Sequence, residues 1–554
     1  MIPERLKPSP GLMARFGVPL GLLIAAIACA LWPPARWALI VLVPLVAIAV
    51  WDFFQDAHTL RRNYPLVARI RWIMEDLRPF ARAYIVEGDL EGRPFAHDER
   101  GLVYARAKGD LDVHPFGTEL DVYSDEYEWM SHSMAPNADA PPGWRVNIGS
   151  PQCTRPYSAS LLNISAMSFG SLGANAIEAL NLGAKQGDFY HDTGEGGLST
   201  YHRKHDGDLV WEIGSGYFGC RDDKGRFDTG RFAERASADQ VKMVEIKLSQ
   251  GAKPGHGGVL PGAKVTREIA AARDVPAGID CVSPAAHSAF ATPIEMLEWA
   301  AKLRDLSGGK PVGIKLCVGQ PHEVLAVMKA MLATGITLDY IVVDGAEGGT
   351  GAAPLELSNS VGMPLREGLI FVRNALVGTG LKRHVRLAAS GKVHSGAGLA
   401  MNHGLGADWS NAARGFMFAL GCVQSMRCHT DMCPTGVTTQ DPTRQRGLVI
   451  PDKAPRVARF HAATLGSLRE IVVAMGLDNP WQIEPHHVHQ RLNSARSNPT
   501  DRIYNFLEEG VLLADPDATS YARYWAAARA ESFRRLADYP NSVPTPNTGS
   551  VQPS

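Results

Sequence analysis

The stretch Val312-Gly313-Ile314-Lys315-Leu316, a helix-like run over 321–333, and then Tyr340-Ile341-Val342-Val343-Asp344-Gly345-Ala346-Glu347-Gly348-Gly349-Thr350-Gly351 decide the fold. Each short apolar run reads as a strand buried on both faces, and the helix between them makes a strand–helix–strand unit. Working outward, similar runs at 161–165, 188–190, 244–248, 279–282, 385–389 and 409–412 alternate with helical segments such as 294–306. Eight strands alternating with helices over roughly 250 residues predict an α/β fold, a (β/α)8 TIM barrel. The residues at the strand ends support this more than the count does. Ala166-Met167-Ser168 come after the first strand, Thr193-Gly194-Glu195 after the second, Gln250-Gly251 after the third and Ser283 to His287 after the fourth. Lys315 ends the fifth, and Asp344 to Gly351 succeed the sixth. Ser390-Gly391-Lys392 come after the seventh and Arg414-Gly415 after the eighth. In a barrel all of these converge on one mouth.

The loops after strands seven and eight of such a barrel commonly cradle a phosphate. Here they offer backbone amides, the Ser390 hydroxyl and the cations Lys392 and Arg414. With Gly348, Gly349, Thr350 and Gly351 in a flexible loop, the set suits a flavin or another phosphorylated ligand. Lys315, flanked by apolar residues, is expected to face the site, where it stabilises negative charge on a reduced ring or binds a carboxylate; the alternative is a snorkelling surface lysine. Glu195 is a candidate for binding or proton transfer, against a turn carboxylate capping a helix. His287 reads equally as structural or functional. His256, in Lys253-Pro-Gly-His-Gly-Gly258, falls on a loop expected over the site.

Cys422, Cys428 and Cys433 place three thiols in twelve residues, with Pro434 directly after. Three soft ligands suit an iron–sulfur cluster better than a closed zinc site, which wants four. His429 offers a fourth for zinc but directly follows Cys428, and plain buried thiols are the remaining reading. The five other cysteines among eight are scattered, which points to a reducing compartment rather than a disulfide framework. A net charge of −1 over 554 residues argues against nucleic acid as a partner.

The N-terminus differs from the rest. Residues 16–35 are uncharged, Arg36 interrupts, and 37–51 are again uncharged, with Pro33-Pro34 between the runs. They predict a transmembrane helical hairpin, the first arm long enough to span and the second marginal, with Asp52 at the surface. Arg5, Lys7 and Arg15 precede it, and Arg61, Arg62, Arg69 and Arg71 come after it. The positive-inside rule then places both flanks, and the catalytic domain, on the cytoplasmic side of an inner (cytoplasmic) membrane. A cleaved signal peptide and a buried soluble hairpin are the alternatives; a second apolar run disfavours cleavage. The expected organisation is a hairpin to residue 55, an extension packing on the barrel at 56–150, the barrel at 151–450, a helical extension at 451–538 and a disordered tail at 539–554.

The motifs in this order resemble the FMN-binding central synthase domain of glutamate synthase. The resemblance rests on Ser165-Ala-Met-Ser-Phe-Gly170, Thr193-Gly-Glu-Gly-Gly197, Glu245-Ile-Lys-Leu-Ser-Gln-Gly-Ala-Lys-Pro-Gly255 and Leu260-Pro-Gly262. It continues through Ser283-Pro284, Gly313-Ile-Lys-Leu316, Gly348-Gly-Thr-Gly-Ala352 and the cysteine run to Gln440. It implies FMN, a 3Fe-4S cluster on Cys422, Cys428 and Cys433, and a 2-oxoglutarate site over the flavin around Glu195 and Lys315. The implied reaction is reductive amination of 2-oxoglutarate to glutamate. Departures from the family pattern are His256 for a glutamate and Asp344-Gly-Ala-Glu347 for Ser-Gly-His-Asp. The chain begins Met1-Ile2-Pro3 without the family's amidotransferase cysteine, and no pyridine-nucleotide domain is visible. Ammonia is therefore expected from a separate amidotransferase, and electrons from a donor protein or a quinone. The chain looks closest to the stand-alone, synthase-domain-only branch. Rival readings are an N-methylglutamate synthase-like enzyme using an amine, and a membrane-tethered electron-transfer module without amination activity.

Overall fold

The computed structural model describes residues 13–125 and 127–536, so the expected tail at 539–554 lies outside the described residues. The chain divides into two units, one ending at His97 and the other starting at Asp98. The 56–150 extension is thus split between them.

In the first unit, Val18–Leu31 and Leu39–Phe54 are α-helices packed on each other, joined by the short helical turn Pro33–Ala38. The arms are reversed in length from the sequence expectation. The apolar stretch Pro33–Phe54 is 22 residues, and Arg15–Leu31 is shorter. At 1.5 Å per residue the longer one measures about 33 Å, the thickness of a bilayer core. The physical reason lies with the prolines and Asp52. Pro33 and Pro34 occupy the first positions of the second arm, where a missing N–H costs nothing. Asp52, in the last turn of this arm, is buried within the protein, where Arg69 donates two bonds to its carboxylate, at 2.8 and 2.7 Å.

In the second unit eight parallel strands close a barrel. They are β1 (Leu162–Ile164), β2 (His191–Asp192), β3 (Leu209–Ile213), β4 (Val241–Lys247), β5 (Val312–Leu316), β6 (Tyr340–Asp344), β7 (Arg386–Ser390) and β8 (Trp409–Ala412). Pairing of Ser410 with Leu162, Asn411 with Asn163 and Ala412 with Ile164 closes the ring. The TIM barrel stands, but two strand assignments change. Residues 279–282 are not the fourth strand. Cys281–Val282 pairs antiparallel with Val259–Leu260 in a small ribbon outside the barrel, where Ile279 and Val282 are mostly exposed. The strand that sequence reading missed is β3, Leu-Val-Trp-Glu-Ile, buried at all five positions. Trp211 points outward onto Phe232, their rings stacked 5.3 Å apart, while Glu212 points inward. The second strand also starts later than expected, because Asp188 takes a left-handed φ of 54° to end the preceding helix.

The helix Ile450–Ala474 packs along Ala174–Gly187, beside Gly396–Gly404, and so completes the outer layer beyond residue 450. Close approach requires glycine at 183, where a Cβ would stand 2.6 Å from Val457. The helix His97–Lys108 is tied to this element through Arg106, which donates to Ser467 Oγ at 2.6 Å. The C-terminal segment docks through Lys329, which donates to Trp525 O and Ala528 O at 2.7 and 3.0 Å.

Candidate active site

Glu195 stands in the loop after β2 and accepts from Lys247, the last residue of β4, at 3.2 Å. Burial alone would raise its carboxyl, but Lys247, Arg273 and Lys253 together hold it below the usual range. Lys253 and Arg273 are both buried. Arg273 directs its guanidinium to Phe169 O at 3.1 Å, with longer contacts to Ser168 Oγ and Cys281 Sγ, and its Nε is buried without a partner. Ser283 Oγ, close by across Gly258, is likewise buried and unpartnered. One carboxylate therefore faces three cations, with Arg273 Nε and Ser283 Oγ unpartnered among the described residues. A cleft there is lined by Glu195, Ser215, Lys247, Gln250, His256 and Pro284. His256 is exposed on its loop, as expected. His287 bonds Lys247 O at 2.9 Å and Tyr217 Oη at 3.3 Å, so it fixes the end of β4.

Lys315 is not in this group. It donates to Glu212 at 3.1 Å inside the barrel, and both side chains are almost fully buried. Glu212, Asp192 and Glu245 bring carboxylate oxygens within 4.8 Å of one another. Burial and then the Glu212 charge push Asp192 up to about 7, and burial and then Asp192 push Glu245 well up. Burial alone would lower the Lys315 ammonium, but Glu212, Asp344, Glu245 and Asp192 raise it well above its ordinary value. The three carboxylates and Lys315 are buried together inside the barrel.

Of the remaining predicted residues, Gln250 and Ser168 lie beside the Glu195 group and the others are joined to one another by a set of loop contacts. Ser165 Oγ lies 3.4 Å from Ser390 Oγ, joining the loop that carries Ala166, Met167 and Ser168 to the end of β7. Gly251 N donates to Asp344 at 2.8 Å, Leu365 N to Glu347 at 2.9 Å, and Arg414 Nη2 to Glu347 O at 2.7 Å. Lys392 takes a left-handed φ of 46° just past Gly391. Cys422, Cys428 and Cys433 lie on the loop after Arg414–Leu420, close enough that each thiol of the last two acts on the first. Lys264 donates to Cys428 O and Thr438 O at 3.3 and 3.1 Å, and Tyr104 to Cys422 O at 2.6 Å.

The family model described as "Conserved region in glutamate synthase" matches residues 146–478. The glutamate synthase large subunit-like protein YerD of Bacillus subtilis (strain 168) is 35% identical over 494 residues, covering 81% of this chain and 93% of that protein. The chain belongs to the glutamate synthase family. An archaeal-type glutamate synthase [NADPH] of Thermotoga neapolitana is 33% identical over 314 residues, and the match spans 59% of its length. A mandelate oxidase solved with an FMN adduct aligns with 73% of this chain and 96% of its own at 14% identity, with a TM-score of 0.38.

This glutamate synthase family member is an oxidoreductase whose mouth fits the family's flavin. Gly349 approaches Arg414 so closely that a Cβ would stand 2.9 Å from its Nε. Gly391, at φ 154°, leaves the end of β7 bare beside Lys392. Both loops thus present backbone and cations, the chemistry a phosphate and a flat ring need. The two departures from the family pattern at Asp344 and Glu347 are structural, since both carboxylates tie neighbouring loops together. The three thiols share one loop and are soft donors, the chemistry a cluster takes, though their Sγ atoms do not all lie within 4.8 Å of one another. Burial, then their mutual charge, raises Cys422 to about 12, whereas Thr435 and Thr438 outweigh burial and lower Cys433. The Thr438 hydroxyl faces Cys428 and Cys433 yet completes no hydrogen bond of ordinary geometry. His429 is exposed. Lys247, Lys253 and Arg273 are the site residues that sequence reading passed over. A signal existed for the first, because Glu245 and Lys247 are two apart on one strand and so face the same way.

Proposed function

We propose that this enzyme reductively aminates 2-oxoglutarate to glutamate. The observation that carries the reading is Glu195 facing Lys247, Lys253 and Arg273, the last two buried and with no other carboxylate paired to them among the described residues. FMN would be held by the backbone at Ala166, Met167, Ser168 and Gln250, by Gly348 to Gly351, and by Ser390, Gly391, Lys392, Arg414 and Gly415. FMN supplies, when bound, a hydride in return for single electrons, which a 3Fe-4S cluster on Cys422, Cys428 and Cys433 would deliver. Lys253 and Arg273 bind the substrate carboxylates, as paired buried cations do. Glu195, held ionised, accepts from an iminium N–H and so favours the cationic imine at the reacting carbon. Lys247, bonded to Glu195, holds the proton nearest the new amine.

The apolar hairpin supports a location at the cytoplasmic membrane with both flanks cytoplasmic. Ammonia from an amidotransferase and electrons from a donor protein or quinone complete the scheme. The test uses detergent-purified full chain. Its absorption spectrum should show flavin and iron–sulfur bands. The chemically reduced protein, given 2-oxoglutarate and ammonia, should form glutamate, seen by mass spectrometry. Methylamine giving N-methylglutamate in preference would move the assignment to the amine-using relative. Flavin reoxidation by a quinone analogue, with no amino acid from either amine, would replace amination by electron transfer.

A further inference from the structure

Within the N-terminal unit, the helix Arg69–Ala81 and the turn Arg82–Val86 that continues it carry a bare apolar stripe. At 100° per residue Ile70, Ile73, Met74 and Leu77 fall on one side, and Tyr84 and Ile85 extend the row. All six are half or more exposed. The other side is occupied. Trp72 lies under the Arg61 guanidinium, 4.3 Å from its ring centre, and beside His58 at 5.4 Å. Arg69 grips Asp52 with two bonds, and Leu66 N donates to the same carboxylate at 3.1 Å. Asp52 belongs to the last turn of Leu39–Phe54, so the striped helix is fastened to the end of the apolar hairpin. Residues 52–87 carry six arginines against five carboxylates; Arg62, Arg69, Arg71 and Arg82 pair with Asp56, Asp52, Glu75 and Glu87, which leaves Arg61 and Arg78 outside these ion pairs.

We propose that residues 69–86 lie along the cytoplasmic surface of the membrane, with the stripe at the acyl boundary and the arginines among anionic headgroups. This rests on the reading of the hairpin as membrane-inserted. Surface helices combine a strong apolar face with low overall hydrophobicity and a basic polar face, and this segment has all three. A second copy of the chain would cover the stripe equally well, but the stripe's helix is fastened through Arg69 and Asp52 to the end of the apolar hairpin, which brings it to the bilayer surface wherever the hairpin inserts. An anionic bilayer satisfies both faces at once. Arg69 is the corner of the arrangement: the first residue of the surface helix takes up the one carboxylate of the longer hairpin arm.

The test places the photocrosslinker p-benzoylphenylalanine at position 73, 77 or 75 of the full chain in vesicles of phosphatidylcholine and phosphatidylglycerol. Positions 73 and 77 should give lipid adducts at least tenfold above position 75, which lies on the far side. The yield should fall severalfold in phosphatidylcholine alone. Adducts to a second copy, or to the same chain, without lipid adducts would overturn the proposal. Carbonate extraction reads the hairpin separately. Protein released by carbonate defeats both readings, whereas protein retained without lipid adducts at 73 and 77 defeats the surface helix alone.

Discussion

Lys247 and Lys315 stand opposite each other in register on neighbouring strands β4 and β5. Each donates to a glutamate, at 3.2 and 3.1 Å, yet the two regions have opposite electrical character. Around Glu195 a single carboxylate meets Lys247, Lys253 and Arg273. Around Lys315 a single ammonium meets Glu212, Asp344, Glu245 and Asp192. A surplus of cations at a mouth leaves room for an anionic ligand. A surplus of buried carboxylates must instead keep protons, because burial disfavours the charged form. The residue at a strand end therefore says less than the sign of what faces it.

The largest effect is expected from Glu195→Gln. Glutamate formation should fall by about 10²–10⁴-fold with the fold intact, and a steady-state rate within tenfold of the parent would dissolve the distinction. Next comes Lys315→Met, which leaves buried carboxylates without their cation. Urea denaturation should show a loss of about 3–5 kcal/mol; unchanged stability would mean that bound protons alone suffice. Arg273→Met should raise KM for the oxoacid roughly 10–100-fold, the size of a lost charged hydrogen bond, and spare kcat. A fall in kcat at constant KM would move Arg273 from binding to chemistry.

The pH dependence separates the two regions by sign. Asp192 is raised to about 7, so the native state keeps its proton after the unfolded chain has lost one near pH 4. Its contribution to stability falls between those values, and Asp192→Asn should flatten that slope. Glu195 is depressed, so its contribution is present above the unfolded value and lost as pH falls through the folded one. Denaturation series from pH 3 to 8 check both, and parallel curves for the two variants would remove the contrast. The smallest effect is expected from His256→Glu, on an exposed loop residue. It should shift KM by less than about tenfold, a change read from the same assay.

Legibility varied along the chain for identifiable reasons. β5 and β8 were readable residue for residue, because Gly308-Gly309 and Gly404 to Gly406 close the preceding helices and so mark where each short strand can start. β3 was hidden by Glu212, a charge that only an inward-facing lysine makes tolerable. The run at 279–282 misled because β-branched residues also pair in small surface ribbons. Glu195 was visible from its glycine-flanked turn. Arg273 was not, since it reaches the mouth from the helix Arg267–Arg273, far from any strand end.

By itself the sequence determined the alternation of strand and helix, the mouth-facing motifs, the thiol triplet and the apolar hairpin. Each is a local pattern, set by side-chain period or spacing. The tertiary structure alone decided which carboxylate each lysine meets. Two lysines flanked by similar apolar residues are equivalent in one dimension, and only barrel closure, by fixing what faces each ammonium, makes one a partner of Glu195 and the other a counter-ion to a buried acid cluster.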